Sequence, residues 1–214
     1  MTIPMSSRET ILYNLRSSIP EAKVEHPRIP VFERKAASLR SEFELHLREA
    51  GGAAHAVSSP EQAAAKLAEL HSDAKVICSA VPEIPGTRDV RRIKDPHELA
   101  DVDVGIVRAQ FGIAESGAVW LTQEDLVVDA LGFLSQHLIV LLDPSEIVPD
   151  MHEAYRRVRL DKTSFGCFMM GPSATADVEA TLVHGAQGAR SLNVFFLPPP
   201  GRTTPAPSTV LAAS

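Results

Sequence analysis

The sequence predicts an α/β fold, an open sheet with flanking helices, behind an N-terminal helical extension. Three observations carry this. Short β-type runs alternate with helix signals from residue 74 onward, and Leu138-Ile139-Val140-Leu141-Leu142 is apolar without interruption, as a strand covered on both faces must be. The first third, by contrast, carries only helix signals. At roughly 150 residues per domain, 214 residues make one large domain with extensions. The expected division is a helical extension over 1–72, an α/β domain over 73–197 and a proline-rich tail over 198–214.

The elements follow in order. Ser6 and Glu9 have capping-box spacing ahead of Thr10-Ile11-Leu12-Tyr13-Asn14-Leu15, and Leu39, Phe43 and Leu47 recur at four-residue spacing in a second helix ending at Gly51-Gly52. Ser59 as cap, Pro60 at the first helical position and Gln62 at the third open another helix, which buries Ala63, Leu67 and Leu70. Residues 76–80 then read as a strand, Asp95-Pro96-His97-Glu98 as a short capped helix, and 104–111 and 118–122 as two strands joined by a glycine-bearing connection. After the strand at 138–142, residues 149–160 are expected to be helical. A strand at 165–170, a helix over 176–183 and a strand at 192–197 complete an alternation that implies right-handed crossovers. The tail is expected to be extended or disordered.

Composition removes several function classes. Hydrophobic residues at 44% and charged residues at 22% are ordinary globular usage, and no apolar run reaches the length of about eighteen residues that a membrane helix needs. The start, Met1-Thr2-Ile3-Pro4-Met5, lacks a signal-peptide pattern, so a cytoplasmic location is expected. A net charge of −6 opposes nucleic acid, and the basic cluster Arg88, Arg91, Arg92 and Lys94 is interspersed with Asp89 and Asp95, which suits a solvated loop or an anion contact. Cys78 and Cys167 sit in apolar runs and read as buried free thiols. An iron–sulfur cluster normally takes about four thiolates, which two cysteines cannot supply. The eight histidines form no H-x-x-x-H pair, so no metal site is expected.

Open α/β sheets bind ligands beyond the carboxyl ends of their strands, which directs attention to loops leaving strands. In Gly171-Pro172-Ser173-Ala174-Thr175-Ala176-Asp177, Gly171 permits close backbone approach, Ser173 and Thr175 supply hydroxyls, and a following helix start would offer unpaired N–H groups to a phosphate or carboxylate. Ordinary helix capping by Asp177 and Glu179 is the alternative. In Gly112-Ile113-Ala114-Glu115-Ser116-Gly117, a carboxylate between two apolar strands costs free energy unless paired or used. Glu115 is therefore a candidate general base, nucleophile or ligand anchor beside Ser116 and Gly117, or else a structural carboxylate. His137 opens the apolar run 138–142 and is a candidate acid or base, or a hydrogen-bonded structural imidazole.

Together these segments resemble the LUD domain family, specifically its short, lactate utilisation protein C type. The resemblance rests on Phe111-Gly112-Ile113-Ala114-Glu115-Ser116-Gly117, Gln136-His137-Leu138-Ile139-Val140, Ile147-Val148-Pro149 with His152-Glu153-Ala154-Tyr155, and Gly171-Pro172-Ser173-Ala174-Thr175-Ala176-Asp177-Val178-Glu179. It implies the fold shared by sugar-phosphate isomerases and coenzyme A transferases. It also implies a subunit or accessory role in oxidising L-lactate to pyruvate, beside iron–sulfur partner proteins that carry the clusters this chain lacks. Ala114-Glu115-Ser116-Gly117 further resembles the nucleophile turn of family I coenzyme A transferases, so the alternative is an independent acyl- or phosphate-ligand enzyme using Glu115. Two stretches depart from the family pattern, Gln187-Gly188-Ala189 and Val107-Arg108-Ala109.

Overall fold

A computed structural model describes residues 6–19, 38–159, 161–175, 183–185 and 187–201. The chain divides into two compact units, 1–35 and 36–214. In the first, helix α1 (Ser7–Ser18) starts with the capping box of Ser6 and Glu9. The second begins with α2 (Leu39–Glu49), β1 (Ala53–Ala56) and α3 (Pro60–Leu70), the last capped by the Ser59 side chain on the Gln62 N–H. Strands β2 (Ile77–Ser79), β3 (Arg88–Asp89) and β4 (Val104–Arg108) follow. Next come the hairpin β5 (Phe111–Ile113) and β6 (Ala118–Thr122), the single-turn helices α4 (Gln123–Leu126) and α5 (Leu131–Leu134), and β7 (His137–Leu142). After β8 (Ile147–Val148) and α6 (Met151–Arg157), strand β9 (Gly166–Met169) precedes the two-residue strands β10 (Ala174–Thr175) and β11 (Val183–His184), and β12 (Ser191–Phe196) ends the unit's regular structure.

The main sheet has six strands in the order β1-β12-β7-β4-β2-β3, all paired in parallel. Both faces of its centre are covered, as the uninterrupted apolar run at 138–142 requires. Leu138, Val140 and Leu142 pack with Phe43 and Leu47 of α2, while Ile139 and Leu141 pack with Ala63 and Leu67 of α3 on the other face. A second sheet, β8-β5-β6-β9, lies on the α2 side and contributes Val119, Leu121 and Ile147 to that core. Its far face, with Phe111, Ile113 and Trp120, packs on Ala154 of α6.

Three expectations change. Residues 38–70 are no extension, because β1 is a strand of the main sheet and Phe43 and Leu47 are fully buried; the division falls at 35/36, not 72/73. The strand expected over 104–111 is two, since the Ala109 N–H still bonds Leu141 of the main sheet whereas the Gln110 N–H bonds Trp120 of the second. Val183 and His184 form a strand instead of a helix end, and the rest of the helix expected over 176–183, like tail residues 202–214, lies outside the described residues. Among the described residues no helix is long and apolar enough to cross a membrane.

Candidate functional site

A parallel sheet has two unlike ends, and this one carries a cleft at each. At the carboxyl ends of β2, β4, β7 and β12, a cleft of about 500 Å3 is lined by Glu83, Arg108, Gln110, Asp125, Asp143 and Pro199 among others. Arg108 is the last residue of β4, directly after four buried positions. Its Nη2 donates to Glu83 Oε1 at 2.8 Å and its Nη1 to the Leu197 carbonyl at 2.7 Å. The Glu83 side chain is 7% exposed and that of Arg108 21%. Removing two charges from water is costly, so mutual pairing is what allows them there. Glu83 Oε2 and Arg108 Nε are nonetheless buried without a hydrogen-bond partner among the described residues.

Across the cleft Asp125 Oδ2 accepts from the Thr122 N–H, the Thr122 hydroxyl and Gln110 Nε2 at 2.8, 2.7 and 2.9 Å. Burial pushes its carboxyl above the ordinary value, against the downward pull of those three bonds. Asp143 caps the short 3-10 turn at Pro144 through the Ser145 N–H and hydroxyl, and Glu146 pairs with Arg157 at 3.0 Å.

At the amino ends lies a cleft of about 770 Å3, with His71, Asp73, Asp103, His137, Arg190 and Asn193 in its wall. His71 is the C-cap of α3, and its ring stacks on that of His137 with centroids 4.3 Å apart. His137 Nδ1 is paired with the Ser191 hydroxyl at 2.8 Å, and His55 Nε2 with Asn193 Oδ1 at 3.1 Å. Burial holds both stacked imidazoles below the ordinary histidine pKa. The partner ring adds to this at His71, and the Arg190 charge adds to it at His137 against a smaller opposing pull from Asp103.

The residues singled out from sequence fall elsewhere, except His137. Glu115 is exposed rather than held between apolar strands, and its Oε2 accepts the Met151 N–H at the start of α6 at 3.0 Å. The Ser116 hydroxyl accepts from the Ala118 N–H. Gly117 and Gly171 sit at the same end of the second sheet and both abut α2, where a Cβ would collide with the backbone of Leu47 and of Ala50 respectively. Both have positive φ, so glycine is required twice over. Gly171 leaves β9 of the second sheet, not the carboxyl edge of the main sheet. Pro172 packs on Gly51, Ser173 donates its hydroxyl to the Gln187 carbonyl at 2.8 Å, and Thr175 pairs with Val183. The expected anion loop is thus stitched by its own ladder; Asp177 lies outside the described residues. Neither cleft is lined by Glu115 or by residues 171–175.

Sequence reasoning passed over Glu83, Asp125, His71 and Arg190. A charge closing an apolar strand, as in Ile106-Val107-Arg108, was the available signal. Cys78 is buried and Cys167 half-buried, both free, and burial pushes the Cys167 thiol up to about 11. Among the described residues no three His, Cys, Asp or Glu side chains converge to hold a metal.

Comparison with known proteins places this architecture. The LUD domain family model matches residues 80–197, more than half of the chain. The chain belongs to the LUD domain family. Its LUD domain is similar to "Lactate utilization protein C" of Shouchella clausii (strain KSM-K16), 35% identical over 107 residues that cover 47% of this chain and 45% of that protein. A protein of the same name from Anoxybacillus flavithermus (strain DSM 21510 / WK1) is 34% identical over 103 residues, covering 47% of this chain and 46% of the other. The match thus spans less than half the length of these relatives. The crystal structure of a DUF162 family protein from Deinococcus radiodurans shares the fold, with a TM-score of 0.59 and 16% identity over 75% of this chain and 96% of that one.

Proposed function

We propose that this chain is the LUD-domain component of a cytoplasmic lactate utilisation system that oxidises L-lactate to pyruvate, with iron–sulfur partner proteins handling the electrons. Its own part is to hold a small 2-hydroxy- or 2-oxocarboxylate in the cleft at the carboxyl ends of the main sheet. The names of the relatives support the pathway, and Arg108 supports the ligand. A guanidinium has five N–H donors, of which Glu83 and Leu197 take two, so the fork is already oriented and still has donors for a carboxylate. Orienting it in advance spares a ligand part of the ordering entropy.

The same cleft disfavours polyanions. Glu83, Glu124, Asp125, Asp143 and Glu146 line it beside a single guanidinium already paired with Glu83, so a small carboxylate is held by the remaining N–H donors of Arg108 whereas a polyphosphate would bring further charges against carboxylates. Nor does geometry support a free-standing acyl-transfer enzyme built on Glu115, whose exposed carboxylate is committed to the start of α6.

Calorimetric titration of L-lactate and pyruvate into the wild-type protein and Arg108→Lys tests the site. Lysine keeps a charge for Glu83 and loses the fork, so affinity should fall at least about tenfold with the fold retained. Equal binding to both proteins, or to neither, would remove the site. The pathway is tested separately: a deletion strain should fail on L-lactate and grow on glucose. Glu115→Gln should complement that strain, and failure of a folded variant would return Glu115 to the site.

A further inference from the structure

We propose that the cleft at the amino ends of the main sheet is a second ligand site, one that takes a small oxyanion, carboxylate or phosphate, between the Arg190 guanidinium and the His71–His137 stack. It does not rest on the function proposed above. Arg190 is fixed at the entrance to β12 by its N–H on the Gln136 carbonyl at 2.8 Å, and its side chain makes no ion pair among the described residues. Two imidazoles lie beside it in the cleft wall, and His71 Nε2 is buried without a hydrogen-bond partner among the described residues.

The carboxylates on this wall are mostly committed. Asp101 is paired through both oxygens with Arg88, and Asp103 Oδ2 accepts the Lys75 and Val76 N–H groups at 2.7 and 2.8 Å. Asp73 is left as the carboxylate opposing an anion. A cation is the weaker fit, since His71, His137 and these aspartates do not converge on a point.

The stack makes such a site sensitive to protons. Unliganded, a proton added to either ring is opposed by burial and by the other imidazole or Arg190. An oxyanion placed against both supplies the missing counter-charge, so binding should draw a proton onto the pair and strengthen as pH falls toward about 6. The groups facing the stack are Asp73 after α3, Asp101 and Asp103 before β4, Arg190 before β12, His55 on β1 through Asn193, and Lys75 beside Asp103.

Titration calorimetry with inorganic phosphate and, separately, acetate at about pH 6 and about pH 8, in buffers of differing ionisation heat, tests this. At least one probe should saturate, bind more tightly at the lower pH and take up protons. Its preference decides between a phosphate and a carboxylate ligand. Arg190→Gln, an exposed position, should weaken binding at least about tenfold, and His71→Asn should flatten the pH dependence. Arg92→Gln, an exposed position outside both clefts, should leave both unchanged. Absence of saturable binding by either probe at about pH 6, pH-independent affinity without proton uptake, or unchanged binding in Arg190→Gln would each overturn the proposal.

Discussion

The two ends of the main sheet bury ionisable groups by opposite means. At the carboxyl ends Arg108 and Glu83 form an ion pair; at the amino ends burial favours the uncharged form of the stacked His71 and His137 imidazoles. Pairing makes each partner hostage to the other, since loss of one leaves the other buried and unopposed. Neutrality makes no such demand, yet it ties that end of the sheet to pH.

The largest expected effect breaks the pair. Arg108→Met strands a carboxylate that is 7% exposed, and urea unfolding should show a loss of about 3–5 kcal/mol. The double variant with Glu83→Met should recover most of it. A single-variant loss below about 1 kcal/mol would mean the pair is solvated after all.

Next comes the amino end's scaffold. Gly171→Ala forces a side chain into positive φ and against the Ala50 carbonyl, and should cost about 2 kcal/mol in the same assay. Smaller is the pH effect. Both folded-state histidine pKa values are depressed, so the unfolded chain binds more protons as pH drops through about 6.5 and stability falls with it. Melting temperature should decline over that window in the wild type and less in His71→Asn; equal declines would detach the stack from the effect. Least costly is Cys167, whose thiol at about 11 should resist alkylation at about pH 8 when folded and react once unfolded in urea.

Much of this sheet was legible where burial is local. An uninterrupted run such as 138–142 has only one use, and the Ser59-Pro60 start of α3 is written in four residues. Strand β1 was not, because Ala53-Ala54-His55-Ala56 has little β preference and owes its state to pairing with β12, 140 positions further along. The clefts were hidden for the same reason. Glu83 meets Arg108 across 25 residues, and His71 meets His137 at the sheet's amino end; no periodicity reports such pairs. The rule that directs ligands to carboxyl ends did not apply to Gly171, which follows a strand of the other sheet.

Helix α2 lies wholly before the region matched by the family model, yet it is wedged between the two sheets. Arg40 covers Phe196 at the carboxyl end, Phe43 meets the same ring edge-on, and Ala50 abuts Gly171 at the far end. Eleven residues at about 1.5 Å each make it about 16 Å long, enough to run beside most of β12. A fragment meant to keep this core must therefore include α2. A fragment cut at residue 80 would bare the apolar side of β7 and β12 and aggregate, whereas the same fragment mixed with a synthetic 38–79 peptide has both the wedge and strand β2 that it needs to reassemble.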